Sequence, residues 1–339
     1  MLVSAWRFRS ALFRFGKITI HFARWHVLSI RATLKTPMHI PDGFLSTPVW
    51  AALDVAAVPA AGYVVRRAQR EFEEKKVPLL GVMGAFVFAA QMINFPVGPG
   101  TSGHLVGSAL LSYTLGPAAA SVVMIAILTI QSLVFQDGGV LALGANIFNM
   151  ALVGVLIGYL PFHLWGRGNK RNAAIFLGGF FSVLVAALLA VSELLISGIA
   201  MSGTVLSVSF ALFAVSAILE GAITLAVLQA LETLNPSFVK APKADRGLAL
   251  GSVAMAAVLL AVVGVLFAST HPDGLEKLSQ TLGIASRAKP LLASPMADYQ
   301  AGFLQSAWLR KAAGGLTGLF LIYGACALLG RIVGRQRSA

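Results

Sequence analysis

Residues 173–197 read AAIFLGGFFSVLVAALLAVSELLIS, an apolar run interrupted by a single acid. Because about 20 apolar residues cross the hydrocarbon core of a bilayer as an α-helix, this stretch predicts a membrane span. The whole chain has the same character: of its 339 residues, 57% are apolar and 12% are charged, with a mean hydropathy of +0.81. A soluble domain carries about twice that charged fraction. We therefore expect an all-α integral membrane protein.

Working outward from this span, the same criterion of length and apolarity finds about nine transmembrane segments. We place them at 44–65, 77–95, 104–116, 117–135, 140–162, 173–197, 205–231, 247–268 and 314–333. The third segment is short, and Gly116-Pro117 separates it from the fourth. We expect a half-spanning or tilted helix at that position.

The positions of the basic residues predict the orientation. If Met38 lies outside, fourteen Lys and Arg residues fall on the inner side and five in the outward loop 269–312, while the outward turns 96–103, 136–139 and 198–204 hold none. Inner loops are enriched in Lys and Arg. The net charge of +13 therefore indicates membrane topology rather than nucleic-acid binding. We expect a multi-pass protein of the inner (plasma) membrane, surrounded by lipid, with the C-terminus in the cytoplasm.

Residues 1–37 hold seven cations and no acid, and their apolar residues are interrupted every few positions. A secretory signal needs an uninterrupted apolar stretch of roughly 7–15 residues, which is missing here. We expect that the start is misassigned and that Met38 is the initiator. A removed leader or an amphipathic surface helix is the alternative.

Two histidines are candidate metal ligands on the outward side. His39 lies in Met38-His39-Ile40-Pro41-Asp42-Gly43-Phe44, and His104 ends the glycine-rich turn 98–104. In a chain that begins at Met38, the free amine, the amide nitrogen of His39 and its imidazole would close two fused chelate rings, and His104 would add a fourth nitrogen. Four nitrogens in a plane suit Ni(II) or Cu(II), with Co(II) possible, and not Mg(II) or Ca(II).

Several polar residues near these histidines have predicted supporting roles. Asn94 and Ser102 are candidates for hydrogen bonds to the ligand groups. Asp42 is expected to cap a helix at the surface or, as an alternative, to orient a ligand. Asp137, next to two glycines, is expected to form a turn. Further helix–helix hydrogen bonds are expected from the polar residues inside apolar segments, namely Asp54, Asn146, Asn149, Glu193 and Glu220.

Residues 38–235 resemble the substrate-capture component (S component) of cobalt/nickel energy-coupling-factor transporters, the CbiM/NikM family. The matching stretches are 38–45, Asn94-Phe95-Pro96 with 100–105, and 137–139 followed by 144–150. The resemblance implies a bundle of seven segments and a metal site made by the Met38 amine, by the amide and ring nitrogens of His39, and by His104. It also implies a transmembrane coupling subunit (T component), two ATP-binding subunits and a link to cobalamin biosynthesis. The 37 residues before Met38 depart from the pattern, since an internal Met38 has no free amine.

The last two segments flank a polar loop that begins Thr270-His271-Pro272-Asp273-Gly274-Leu275-Glu276. This stretch resembles the PDGLE domain, which is related to the two-span accessory subunit of the same transporters. We expect Asp273 or Gly274 near the N-cap of a helix, and His271 is a weaker candidate for passing metal to the site. The predicted organisation is a leader at 1–37, a capture domain at 38–240 and an accessory domain at 246–339.

The resulting function is a non-enzymatic, substrate-binding component that imports Ni(II) or Co(II). The chain has no Gly-x-x-x-x-Gly-Lys-Ser/Thr pattern, so ATP hydrolysis is expected from partner subunits. An intramembrane metalloenzyme is the alternative, but the sequence lacks His-Glu-x-x-His and indicates no catalytic residue or resident cofactor. A self-sufficient ion carrier would need charged residues along many spans. The sequence does not choose between nickel and cobalt, although a planar nitrogen set favours nickel.

Overall fold

The computed structural model of the protein describes residues 39–71, 76–235 and 247–335. Met38, the leader 1–37 and the predicted inner-side Lys75, Lys240, Lys243, Arg246 and Arg337 lie outside the described residues. The prediction of an all-α membrane protein is confirmed, because helices dominate the described ranges and seven helical stretches there are long and apolar enough to cross a membrane.

Among the described residues, helices occupy all nine predicted segments, and one further α-helix lies in the C-terminal loop. Their bounds are α1 Thr47–Glu71, α2 Val77–Gln91, α3 Ser108–Leu115, α4 Pro117–Ile130, α5 Leu143–Asn146, α6 Val155–Trp165, α7 Arg171–Ile196, α8 Gly203–Leu234, α9 Gly247–Val262, α10 Gly274–Thr281 and α11 Ala307–Arg335. The fifth predicted segment is one continuous stretch in which α5 and α6 are joined by π-helical turns.

The second and third segments are shorter than predicted. Helix α2 has 15 residues and α3 has eight, so α3 rises only about 12 Å and cannot cross a bilayer. Gly107 and Gly116 flank α3 with φ of +78° and +83°, conformations that favour glycine and end a helix. Helix α4 then begins at Pro117, as is common for the first helical residue. The prediction of a half-spanning third segment is therefore confirmed in its length.

Two π-helical stretches widen the backbone close to the 136–142 loop. They span Gln131–Phe135 and Ile147–Gly154. Such turns are often found at functional sites, because they redirect side chains out of the regular helical pattern. The first places Gln131 within 3.0 Å of the Tyr299 hydroxyl, and the second lets Asn149 donate to Glu193 at 2.9 Å.

A short antiparallel hairpin leads to His104. Strand β1 (Phe95–Gly98) pairs with β2 (Thr101–Gly103), and Gly100 makes the turn with φ of +63°. The register is irregular between Pro96 and Gly98. His104 directly follows this hairpin, so the position of its ring depends on how β2 is packed.

The C-terminal helices α9 and α11 pack against α2. Small residues allow this close approach: a Cβ at Gly84 would lie 3.0 Å from the sulfur of Cys326, and one at Gly318 would lie 2.1 Å from the Phe88 ring. Cys326 is a buried free thiol. The loop between α9 and α11 therefore starts and ends beside the hairpin end of α2.

Candidate metal centre

The segment that carries His39 is held by its backbone. Asn146 of α5 accepts a hydrogen bond from the amide of Ile40 at 3.0 Å and donates one to the carbonyl of Ile40 at 3.1 Å. The amide of Gly139 donates to the same carbonyl at 2.9 Å. The backbone next to His39 is thus fixed by both a side-chain amide and a loop, and the imidazole is 3% exposed.

The Asp137-Gly138-Gly139 loop lies in contact with this segment, and only glycine fits there. A Cβ on Gly138 would approach the Cβ of His39 to 3.0 Å, and one on Gly139 would approach Oδ1 of Asp42 to 2.3 Å. Gly138 also has φ of +98°. The two glycines therefore let the Asp137 carboxylate reach the imidazole.

Asp137 forms no simple turn, contrary to the prediction. It is buried, its Oδ1 lies 3.1 Å from Nδ1 of His39, and its Oδ2 accepts a hydrogen bond from the hydroxyl of Tyr299. Burial opposes ionisation of Asp137, but the charge of His39 and the hydrogen bonds from His39 and Tyr299 outweigh it and lower the pKa of Asp137. Burial, followed by the charge of Asp137, raises the pKa of Tyr299 well above its ordinary value, so the phenol keeps its proton and donates it.

The same pair sets the protonation of His39. Burial lowers the pKa of His39, but the charge and hydrogen bond of Asp137 exceed that effect and raise the pKa above its ordinary value of 6.5. A carboxylate on one ring nitrogen also fixes the orientation of the imidazole. Metal-binding histidines are commonly oriented in this way.

Asp42 is buried rather than at the surface. Its Oδ1 accepts from the amide of Leu141 at 2.8 Å and its Oδ2 from the amide of Leu291 at 3.3 Å, and the residue is 5% exposed. The prediction of a helix cap at the surface is wrong, because Asp42 points inward and accepts hydrogen bonds from backbone amides of two loops. Its role is to anchor the segment that carries His39.

His104 meets His39 across a small gap. The two ring centroids are 5.9 Å apart with an interplanar angle of 64°. Nδ1 of His104 lies 3.0 Å from the carbonyl of Leu105, and a proton donated there leaves the lone pair on Nε2. The following backbone is fixed by Glu220 of α8, which accepts from the amides of Val106 and Gly107 at 2.8 Å each.

His39 and His104 line a cavity of about 110 Å³. Its apolar lining comes largely from α7 and α8, and its polar lining residues include His39, His104, Asn146, Asn149 and Asp273. Three buried polar atoms of these lining residues have no hydrogen-bond partner among the described residues: Nε2 of His39, Oδ1 of Asn149 and Oδ2 of Asp273. No three His, Cys, Asp or Glu side chains in the described ranges stand close enough to hold a metal ion together. The side chains alone therefore do not surround an ion. Further ligands, or a movement of these side chains toward one another, would be needed to complete a metal site.

The model of the family described as the cobalt uptake substrate-specific transmembrane region, CbiM, matches residues 39–238. The chain belongs to the CbiM family. A PDGLE domain matches residues 248–335. The match of both models agrees with the two resemblances found in the sequence.

Relatives with both parts are known. A putative fused nickel transport protein NikMN from Archaeoglobus fulgidus is 37% identical over 268 residues, covering 77% of this chain and 88% of the relative. The fused nickel transport protein NikMN of Rhodobacter capsulatus is 30% identical over 330 residues, covering 84% and 95%. A cobalt transport protein CbiM from Thermosediminibacter oceani is 33% identical and covers 61% and 88%.

The fold is also similar to a solved structure. A crystal structure described as a truncated transition metal transporter superposes with a TM-score of 0.51 at 33% sequence identity, covering 57% of this chain and 98% of the other. The relatives are named as transport proteins, and this CbiM-family chain is a multi-pass membrane protein for metal uptake.

The structure brings together two of the three predicted ligands of this CbiM-family chain. His39 and His104 share the cavity, whereas Met38 lies outside the described residues. A chelate ring that includes the His39 amide closes through Nδ1, but here Nδ1 faces Asp137 and Nε2 is the nitrogen without a partner. Chelation through Nδ1 therefore requires the imidazole to turn about its Cβ–Cγ bond.

Ser102 and Asn94 do not line the cavity. The hydroxyl of Ser102 donates to the carbonyl of His271 at 2.7 Å, so it fixes the PDGLE loop instead of a metal ligand. The carbonyl of Asn94 accepts from the amide of Ser269 at 2.7 Å, and its side-chain oxygen is buried without a partner among the described residues. The side chain of His271 is exposed and also lies away from the cavity.

The structure adds two residues that the sequence reasoning did not place at the site. Asp273 caps α10 as predicted, accepting from the amide of Glu276 at 2.7 Å, but it also lines the cavity. Burial raises the pKa of Asp273 to about 7, in spite of that hydrogen bond. Tyr299 reaches the site through Asp137. The Pro-Asp-Gly motif indicated Asp273 only as a cap, and no local pattern indicated Tyr299.

Proposed function

We propose that the chain is the substrate-binding component of an energy-coupling-factor transporter that imports Ni(II) or Co(II). The observation that carries this proposal is the meeting of His39 and His104 at one cavity. Their ring centroids are 5.9 Å apart, although 65 positions of sequence separate them. An ion bonded to one nitrogen of each imidazole at about 2 Å fits between rings at that spacing.

The remaining donors of the proposed site come from the chain terminus. A mature chain that begins at Met38 adds its amine and the amide nitrogen of His39, which with the two imidazoles gives a set of nitrogen donors suited to Ni(II) or Co(II). The hydrogen bonds of Asn146 and Gly139 to the backbone of Ile40 support this arrangement, because they fix the backbone next to the proposed ligands. All of these ligands must be unprotonated, so capture weakens in acid.

The energy for import comes from partner subunits in this proposal. A transmembrane coupling subunit and two ATP-binding subunits would act with this chain, since its own sequence lacks a phosphate-binding loop motif. The distribution of Lys and Arg supports an outward N-terminus and a cytoplasmic C-terminus in the plasma membrane. On this orientation the cavity receives the ion from outside.

An uptake assay tests the function. Cells that express the chain with its coupling and ATP-binding subunits are given radioactive Ni(II) or Co(II), and accumulation is compared with cells that lack the chain. His104→Ala is expected to abolish accumulation, because the cavity loses one of its two imidazoles. His271→Ala is the matched control, since that side chain is exposed and outside the cavity. Equal accumulation with and without the chain, for both ions, contradicts the proposal.

A further inference from the structure

The loop that opens the PDGLE domain is attached to the hairpin that carries His104. The amide of Ser102 donates to the carbonyl of Pro272 at 2.8 Å, and its hydroxyl donates to the carbonyl of His271 at 2.7 Å. The amide of Ser269 donates to the carbonyl of Asn94 at 2.7 Å. The C-terminal domain is thus attached beside the candidate metal centre by the hydrogen bonds of Ser102 and Ser269.

These contacts place Asp273 in the cavity wall. Its Oδ1 caps α10 through the amide of Glu276, and the whole residue is 3% exposed. Its Oδ2 is buried and has no hydrogen-bond partner among the described residues. A buried carboxylate oxygen without a donor is costly, so it indicates a partner that the protein alone does not supply.

The charges around the cavity favour a cation as that partner. Among the described residues that line it, Asp273 is the one carboxylate, and none is Lys or Arg. Nε2 of His39 also lacks a hydrogen-bond partner among the described residues, so two residues that line the same cavity each have a buried polar atom without a partner. One deprotonated amide nitrogen balances only half of the charge of a divalent ion, so a further negative charge close by stabilises the ion in a largely apolar enclosure.

We propose that Oδ2 of Asp273 binds the transported Ni(II) or Co(II) ion, so that the C-terminal domain completes the metal site. This inference rests on the proposed function, because it adds a ligand to the same site. Since no three such side chains yet surround an ion, binding includes an inward movement of Asp273 toward the histidines. The fused domain then contributes directly to capture, in addition to any contact with partner subunits.

The test uses the full chain purified from membranes, with Ni(II) and Co(II) as probes. Asp273→Asn and Asp273→Ser remove the carboxylate but keep good N-cap residues, so α10 is retained. Dissociation constants for both ions are measured by calorimetry, and the visible spectrum of bound Co(II) reports its coordination. We expect both variants to bind about 10–100-fold more weakly and to change the Co(II) spectrum. Ser102→Ala is the control for loop attachment, because it removes a docking bond and keeps the carboxylate.

Three outcomes decide the matter. If Asp273→Asn binds both ions within about twofold of the wild type with an unchanged spectrum, Asp273 is not a ligand, while binding by the wild type leaves the proposed function standing. If Asp273→Asn binds the ions more weakly but bound Co(II) keeps the wild-type spectrum, the loss comes from altered loop docking and the inference is overturned. If the wild type binds neither ion, the proposed function fails together with the inference.

Discussion

The hydroxyl of Tyr299 donates a hydrogen bond to Asp137, and the other oxygen of that carboxylate lies 3.1 Å from Nδ1 of His39. Tyr299 belongs to the C-terminal domain, whereas His39 stands close to the start of the described chain. The orientation of a proposed metal ligand therefore depends on a residue 260 positions away in the sequence. Gln131 donates to the same hydroxyl at 3.0 Å and completes the chain of contacts.

If the ion binds through Nε2 of His39, the nitrogen that the Asp137 contact leaves without a partner, Tyr299→Phe is expected to weaken Ni(II) binding about tenfold, because the donor that holds Asp137 is lost and the imidazole is less firmly oriented. Chelation through Nδ1 breaks the Asp137 contact and predicts no such loss. The phenylalanine ring keeps the stacking on Phe135, whose centroid is 4.8 Å away, so the fold is retained. Calorimetry on purified protein measures the affinity. Tyr323→Phe, at a residue 43% exposed on α11, is the control. An unchanged affinity in Tyr299→Phe rules out an effect of Tyr299 on metal binding through Asp137 and His39.

Asp137→Asn is expected to shift the pH dependence of His39. In the wild type Asp137 raises the pKa of His39 above 6.5, so the imidazole becomes protonated, and its lone pair unavailable, at a higher pH than in an ordinary histidine. Without the carboxylate, burial dominates and the pKa falls. Titration of the His39 ring protons by NMR in metal-free protein is therefore expected to show a lower midpoint. A midpoint that stays or rises contradicts the assigned cause.

The free terminus is tested by adding one alanine before Met38 in a chain that otherwise begins there. The added residue moves the amine away and converts the Met38 nitrogen to an amide. We expect Ni(II) and Co(II) binding to weaken by at least about 100-fold, because one nitrogen donor and one chelate ring are lost. Adding alanine at the C-terminus is the control. Equal affinity in the two chains means that the amine is not a ligand.

Gly138→Ala is expected to impair metal binding beyond its effect on stability. Its φ of +98° makes any side chain unfavourable, by roughly 1–2 kcal/mol in the left-handed region, and its Cβ would press against the Cβ of His39 at 3.0 Å. Gly168→Ala is the matched control, since Gly168 has φ of +64° and open space around it. Both variants lower the melting temperature, but only Gly138→Ala lowers Ni(II) affinity. Equal binding losses in both would point to general destabilisation.

The sequence predicted the helices because apolar length is a local property. It also predicted α3 as short, because Gly116-Pro117 is a local break, although it overestimated α2 by several residues. Tight-turn residues beside His39 and His104 on the same predicted side were sufficient to suggest that the two meet. These features are encoded in contiguous stretches, so they can be recognised without knowing how the helices pack.

The supporting residues could not be predicted in the same way. Asp137 next to two glycines resembles a turn, and its burial depends on the approach of His39 from 98 positions away. Asp42 bonds to Leu291 across 249 positions, which no local pattern reveals. The structure therefore corrects the predicted roles of Asp42 and Asp137, and it brings His39 and His104 to one cavity.

The attachment of the PDGLE loop through Ser102 and Ser269 uses three hydrogen bonds, each worth about 1 kcal/mol. Between two separate polypeptides such a contact would be too weak to persist. Helices α9 and α11 are already packed on α2, so the loop is tethered at millimolar effective concentration and its docking is an intramolecular event. Covalent linkage of the two domains thus lets a contact of only three hydrogen bonds persist beside the cavity.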